Sequence, residues 1–302
     1  MLFYEKRKKF MSNRITTILK GILPTIVLAT IGSVAATFIE VFGFAFCIYT
    51  SHFSSINDFY NKCASYTKTI AKSPSIYLMY GIGTFIVMYF WIKSLNKNSG
   101  VKVSASPKVL KKWMVPTLLF MGIMFQIFTN YIAEFLMVLM PKAGEFYSKL
   151  MEQAGLTDSS LTISMIIYAL LIGPIVEEMT FRGATYSILR KNLNFWTANV
   201  IQAALFGLIH MNLIQGIYAF FLGLALGYIR ERTGNLLATI ILHIVFNSVS
   251  GLASSLTSVV SGNPALFCLA LLISMCGSYI GIIIFKRITE PGVIDNGPEN
   301  IL

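Results

Sequence analysis

Apolar residues in this chain come in long runs, with few of the strict alternations that mark half-buried strands. Residues 22–48, 76–92, 113–140, 161–176 and 265–285 are apolar apart from a few small or polar positions. Crossing a bilayer core of about 30 Å takes roughly 20 such residues in a helix, and these runs are of that order. Three further stretches, 198–211, 213–229 and 236–249, lie between the last two. The pattern predicts an all-α fold, a polytopic transmembrane helix bundle of about eight helices. No internal repeat, low-complexity tract or long linker divides it, and the longest polar connection, 51–75, is short for a separate domain. We therefore expect one bundle in three parts. About three N-terminal helices of unassigned role occupy 1–160, a helical core rich in intramembrane polar groups occupies 161–290, and a short tail covers 291–302.

Composition agrees, with 55% hydrophobic and only 12% charged residues, which is a lipid-embedded profile. A formal charge of +11 might suggest a nucleic acid partner, but its distribution argues for topology instead. Lys and Arg crowd the N-terminus, the 93–112 loop with its six lysines, Arg190/Lys191, Arg230/Arg232 and Lys286/Arg287. An even-numbered bundle puts all of these on one side, and the positive-inside bias then places both termini in the cytoplasm. The opposite connections are weaker or acidic, with Glu145, Glu152 and Asp158 outnumbering Lys142 and Lys149. The exception is 51–75, which carries Lys62, Lys68 and Lys72. Membrane lipid is the implied partner, and nucleic acid is not. Lys6 to Lys9 resemble the basic region of a signal peptide, yet the following apolar run exceeds the ~7–15 residues of a signal core and ends in no clear small-residue cleavage site, so an uncleaved anchor is expected. Cys47, Cys63, Cys268 and Cys276 form no CxxC pair, and three of the four fall in or beside apolar spans, where a small buried residue is the default reading.

Ionisable groups at membrane depth cost at least ~2.5–3.5 kcal/mol each on insertion scales, and they concentrate here between Pro174 and Asn247. Three groups stand out: Glu177-Glu178 with Arg182, Phe206 with His210, and His243 with Asn247. Two of the three histidines are among them. On a helix, Glu178 and Arg182 share a face at i, i+4, whereas Glu177 points about 100° away. Glu178 thus has a partner, and Glu177 is left as the carboxylate able to take a proton from water. An imidazole can share that activation, and a second imidazole with a carboxamide can donate to an oxyanion developing on a carbonyl. The parts suit amide hydrolysis. With no Ser or Cys nucleophile paired to either motif histidine, water is the expected attacker. The same polar groups could instead be structural glue between helices.

Depth gives a loose check. At ~1.5 Å per residue, Glu177 lies ~20 Å from Arg190 and His210 ~22 Å from Phe195, while His243 is shallower at ~16 Å from Arg232. This predicts a site reached from the cytoplasmic side, with a tilt or broken helix absorbing the mismatch. Gly173-Pro174 is a place for a kink and a wet cavity. Gly223 and Gly227 form a GxxxG pair whose ordinary meaning is close packing.

Glu177-Glu178-Met179-Thr180-Phe181-Arg182-Gly183, Phe206-x-x-x-His210 and His243-x-x-x-Asn247 resemble the three signature motifs of the CPBP intramembrane proteases, the type II CAAX prenyl endopeptidase and bacteriocin-processing group also called Abi. The stretch 222–235 also resembles the family's segment ahead of the second histidine. The likeness spans about 165–251 and leaves the first 160 residues uncovered. It implies that 161–290 is a catalytic core in which Glu177 and His210 activate water and His243 and Asn247 form the oxyanion site. Glu178, Arg182 and Phe206 support the geometry. Members have been described as metalloproteases, and a zinc site could be assembled from Glu177, His210 and His243; a metal-free glutamate mechanism is the preferred expectation. The implied substrate is a membrane-associated peptide or protein.

Two other classes remain open at this point. A non-proteolytic immunity or scaffold protein would tolerate Glu177→Gln. A proton-coupled transporter would show inverted-repeat symmetry between halves, and the polar cluster lies wholly in the C-terminal half.

Overall fold

The computed structural model describes residues 2–71, 74–98, 102–153 and 163–290. The expected boundary at 160/161 and the tail 291–302 lie outside them, as do Lys72 and Asp158.

The described residues are helical nearly throughout. In chain order they form α1 (Leu2–Thr50), α2 (Ile56–Ala71), α3 (Pro74–Asn98), α4 (Met114–Leu139) and α5 (Pro141–Gln153). There follow α6 (Ile163–Leu189), α7 (Phe195–Leu208), α8 (Leu213–Thr233), α9 (Leu236–Ser248), α10 (Ser250–Val260) and α11 (Pro264–Thr289). Asparagine starts each of the last long helices. Asn194, Asn212, Asn235 and Asn263 accept backbone N–H groups of Thr197, Gln215, Leu237 and both Ala265 and Leu266, which satisfies donors the helix itself leaves open. Gly234 closes α8 in the left-handed region at φ 61°, where a side chain would be strained.

Six helices are long and apolar enough to span a membrane, or seven if α9 and α10, bent by 45°, make one pass. The count therefore differs from the expected eight. The reason is α7: at 14 residues it is only ~21 Å long, short of a ~30 Å core. Two connections expected to be plain loops are instead the amphipathic helices α2 and α5.

The basic loops do gather at one end. Lys111 Nζ donates to the Ile288 carbonyl, Asn235 Nδ2 to that of Ser106 and Arg232 to that of Lys286, while Arg190 pairs with Glu231 at 2.7 Å. The far end holds α2, α5 and the turns around α10.

The molecule turns apolar side chains outward as well as inward. Phe38, Phe42, Phe90, Leu272 and Ile273 are exposed in spanning helices, as lipid-facing surface requires. The core of the bundle lies where α4, α6, α7, α8, α9 and α11 meet, around Leu118, Met121, Phe181, Phe206, Leu226 and Leu242. The Gly223/Gly227 pair does serve close packing. A Cβ on Gly223 would lie 2.9 Å from Ala203, and one on Gly227 only 1.8 Å from Asn199 Oδ1.

Candidate active site

The acids sit on α6 between two π-helical turns, Tyr168–Ile172 and Met179–Thr185. Such turns mark places where a helix register is broken for a purpose. In the first, the Gly173 N–H reaches back to the Tyr168 carbonyl, and Pro174 has no N–H to offer. The Ala169 carbonyl thereby loses both its i+4 and its i+5 donor. Asn247 supplies the missing bond, its Nδ2 donating to Ala169 O at 2.9 Å. The kink expected at Gly173-Pro174 is thus a π turn held by a side chain from α9.

Glu178 and Arg182 pair as the i, i+4 spacing predicts, with Nη1 to Oε1 at 2.8 Å and both side chains fully buried. The same Oε1 contacts His243 Nδ1 at 2.9 Å. A carboxylate already held by a guanidinium accepts, so the natural assignment is that His243 donates from Nδ1. Its Nε2 then faces the cavity and lies 3.6 Å from Glu177 Oε2. One imidazole spans two carboxylates that are neighbours in sequence, one bearing its orientation and the other open to the cavity.

Phe206 packs at the centre of this group. The Arg182 guanidinium carbon lies 4.4 Å from its ring centroid, and the His210 and His243 rings meet it edge to face at 5.3 and 5.7 Å. The ring thereby separates the two histidines and shields the ion pair. Behind it, Arg182 Nη2 and Gln202 Nε2 both donate to the Gly223 carbonyl.

His210 lies just past the end of α7, although its ring still meets Phe206 four residues before it. The chain leaves α7 at Leu208, and Met211 adopts φ 58°, the one non-glycine residue with positive φ among those described. Strain of this kind beside a polar residue is characteristic of functional sites. No hydrogen bond or ion pair joins His210 to Glu177 among the described residues; the basic group at Glu177 is His243.

Glu177, His210, His243 and Asn247 nevertheless line one cavity of about 650 Å³. Motif reasoning missed several of its walls. Gln126 and Asn130 come from α4, Tyr147 and Met151 from α5, Tyr168 from the π turn, and Gln215 and Tyr218 from the start of α8. The rings of Tyr77 and Tyr80 of α3 pack at a tilt against Tyr168 with centroids 5.2 and 6.2 Å away, which ties an N-terminal helix to the site. The α8–α9 turn that leads to His243 is pinned to the loop before α4. Asn235 there is fully buried beneath the loop before α4, whose Ser104 carbonyl accepts the Leu236 N–H at 2.7 Å.

The family resemblance implies a metal as one option, held by Glu177, His210 and His243. Glu177 and His243 stand together, but among the described residues no three His, Cys, Asp or Glu side chains are close enough to share an ion.

Comparison with known proteins agrees with the motifs. Residues 159–249 match the family described as Type II CAAX prenyl endopeptidase Rce1-like. Over 84 residues the chain is 30% identical to the "Putative membrane peptidase YdiL" of Bacillus subtilis (strain 168), a stretch covering 28% of this chain and 34% of that protein. The chain thus spans about a third of the length of the curated relative it matches. No solved structure matches. The segment that carries all three motifs is thus similar to the Rce1-like CAAX protease family.

Proposed function

We propose that the protein is an intramembrane endopeptidase that hydrolyses a peptide bond of a membrane-associated peptide or protein. The observation that carries this reading is the convergence of Glu177, His210, His243 and Asn247 on one cavity in which Glu177 is the carboxylate free of an arginine partner. Glu177 takes a proton from water as the water attacks the scissile carbonyl, with His210 on the same cavity sharing the activation. His243 Nε2 and the Asn247 carboxamide hydrogen not bound to Ala169 donate to the oxyanion. With Nδ1 donating to Glu178, Nε2 acts as a donor in the form of the ring that carries a proton on both nitrogens. The proton on Glu177 then passes to the leaving amine.

In this reading α7 and the bent α9–α10 pair count as passes. That gives eight in all and places both termini in the cytoplasm, in line with the basic end. Glu178, Arg182 and Phe206 hold the geometry. The rival reading, a non-proteolytic immunity or scaffold protein, accounts for the buried Glu178–Arg182 pair but gives no reason for a carboxylate facing a cavity. The transporter reading lacks a second polar cluster in the N-terminal half.

The test is cleavage of a panel of membrane-anchored peptides by protein reconstituted in lipid, comparing wild type with Glu177→Ala and His210→Ala, each with and without chelator. Loss in both variants with activity kept under chelator supports the scheme. Loss of wild-type activity under chelator moves the chemistry to a metal, and unimpaired cleavage by Glu177→Ala removes the carboxylate from it.

A further inference from the structure

The cavity has a direction. Its lining on α6 runs from Met165 to Glu177 and stops there, and on α4 it runs from Gln126 to Ala133. On α9 and α10 it runs from His243 to Ser254. Helix α6 runs toward the basic end, while α4 and α9 run away from it. All three therefore place the lining in the half of the bundle remote from the basic loops. On the other side of Glu177, toward those loops, Phe181, Arg182 and Gln202 are fully buried and close the floor. The residues at the rim, Ser250, Gly251 and Ser254, are exposed. This reverses the expectation from helix depth: the opening faces away from the basic end, and the positive-inside bias makes that the outer side.

The lining also has a charge character. Among the described residues no Lys or Arg reaches it, and Glu177 is its carboxylate. A substrate ending in a free carboxylate a few residues from the scissile bond would meet repulsion with no Lys or Arg to hold it and with the His243 ring already engaged by Glu177 and Glu178, whereas such chain ends are normally captured by cations or clustered N–H groups. What the walls do offer are neutral donors and acceptors, among them Gln126, Asn130, Tyr147, Gln215, Tyr218 and Ser254. These match the amides of a continuing backbone.

We propose that the site takes an internal, uncharged stretch of a polypeptide presented from the extracytoplasmic face, such as a translocated peptide precursor or the outer loop of a membrane protein. The inference deepens the peptidase reading and rests on it for the hydrolytic step, in which water gives its hydroxyl to the acyl carbon and its proton to the departing nitrogen.

Single cysteines test it in a chain whose four native cysteines are replaced by serine. Ser254→Cys and, as a second rim position with open space around it, Gly251→Cys report on the mouth. Lys108→Cys reports on the basic end. In intact cells a membrane-impermeant sulfonated maleimide should label both rim cysteines and should reach Lys108→Cys only after permeabilisation. In lipid nanodiscs, an N-acetylated, C-amidated pentapeptide library of uncharged residues should slow rim labelling several-fold, and the same library with free carboxyl termini should not. Rim labelling only from the cytoplasm, no rim labelling at all, or protection by the free acids equal to or better than by the amides overturns the inference. Labelling reads side and occupancy with no bond cut. Failed cleavage with intact protection therefore refutes the peptidase reading alone, and cytoplasmic labelling refutes this inference alone.

Discussion

His243 Nε2 stands 3.6 Å from Glu177 Oε2 while the other nitrogen of the same ring is bound to Glu178. Two adjacent carboxylates thus have separate duties, and their substitution should separate as well. Glu178→Gln breaks a fully buried ion pair with Arg182, which typically costs about 3–5 kcal/mol, so the variant should melt well below wild type and lose activity. Glu177→Gln removes a group with no arginine partner. It should melt close to wild type while losing cleavage, which thermal unfolding in detergent and a cleavage assay on the same preparations would read.

The bond from Asn247 to Ala169 replaces one that Pro174 cannot make. Asn247→Ala leaves a carbonyl unpaired inside the bundle and should destabilise by about 1–3 kcal/mol, with faster hydrogen exchange through the π turn Tyr168–Ile172. Pro174→Ala provides a backbone N–H at the i+5 position. The double variant should therefore recover part of the stability that Asn247→Ala alone loses. Additive losses in the double variant would contradict the account.

Close approach of α7 and α8 should rank two glycine substitutions. Gly227→Ala drives a methyl to 1.8 Å from Asn199 Oδ1 and should cost at least the ~1–3 kcal/mol typical of overpacking. Gly223→Ala meets the Ala203 Cα and Cβ at 2.9 Å, backbone that cannot swing aside as the Asn199 and Gln202 amides can, and should be the costlier of the two. Melting temperatures of both variants would check the order.

Cys47 on α1 and Cys63 on α2 are buried with their sulfurs 3.3 Å apart. Mild oxidation of isolated membranes should join them, seen as one cross-linked peptide on non-reducing digestion and lost in Cys63→Ser. Failure to cross-link would contradict the placement of α2 against α1.

Much of this was legible before any coordinates. The long apolar runs became spans, and the Glu178–Arg182 pair follows from helix spacing alone. What was not legible has physical causes. Helices α2 and α5 are too polar to stand out as spans, although the spacing of Ala143, Tyr147, Leu150 and Met151 at three and four residues marks one face of α5. The π turn depends on a partner from α9 that no local pattern contains. His210 was placed on a helix because Phe206-x-x-x-His210 has helical spacing, but the chain is already turning there toward the Asn212 cap, which was the readable signal. The helix counts put Glu177 and His210 ~20 and ~22 Å from the basic end of a ~30 Å core, already nearer the far end, but a depth along single helices does not say on which side the cavity between them is open.

The most direct test of the central claim is cleavage of a membrane-anchored peptide in liposomes made up in ¹⁸O-labelled water, with wild type and Glu177→Gln matched for melting temperature. The account predicts that wild type places one labelled oxygen in the new carboxyl terminus and that Glu177→Gln yields essentially no product. Equal product from the two proteins would contradict it.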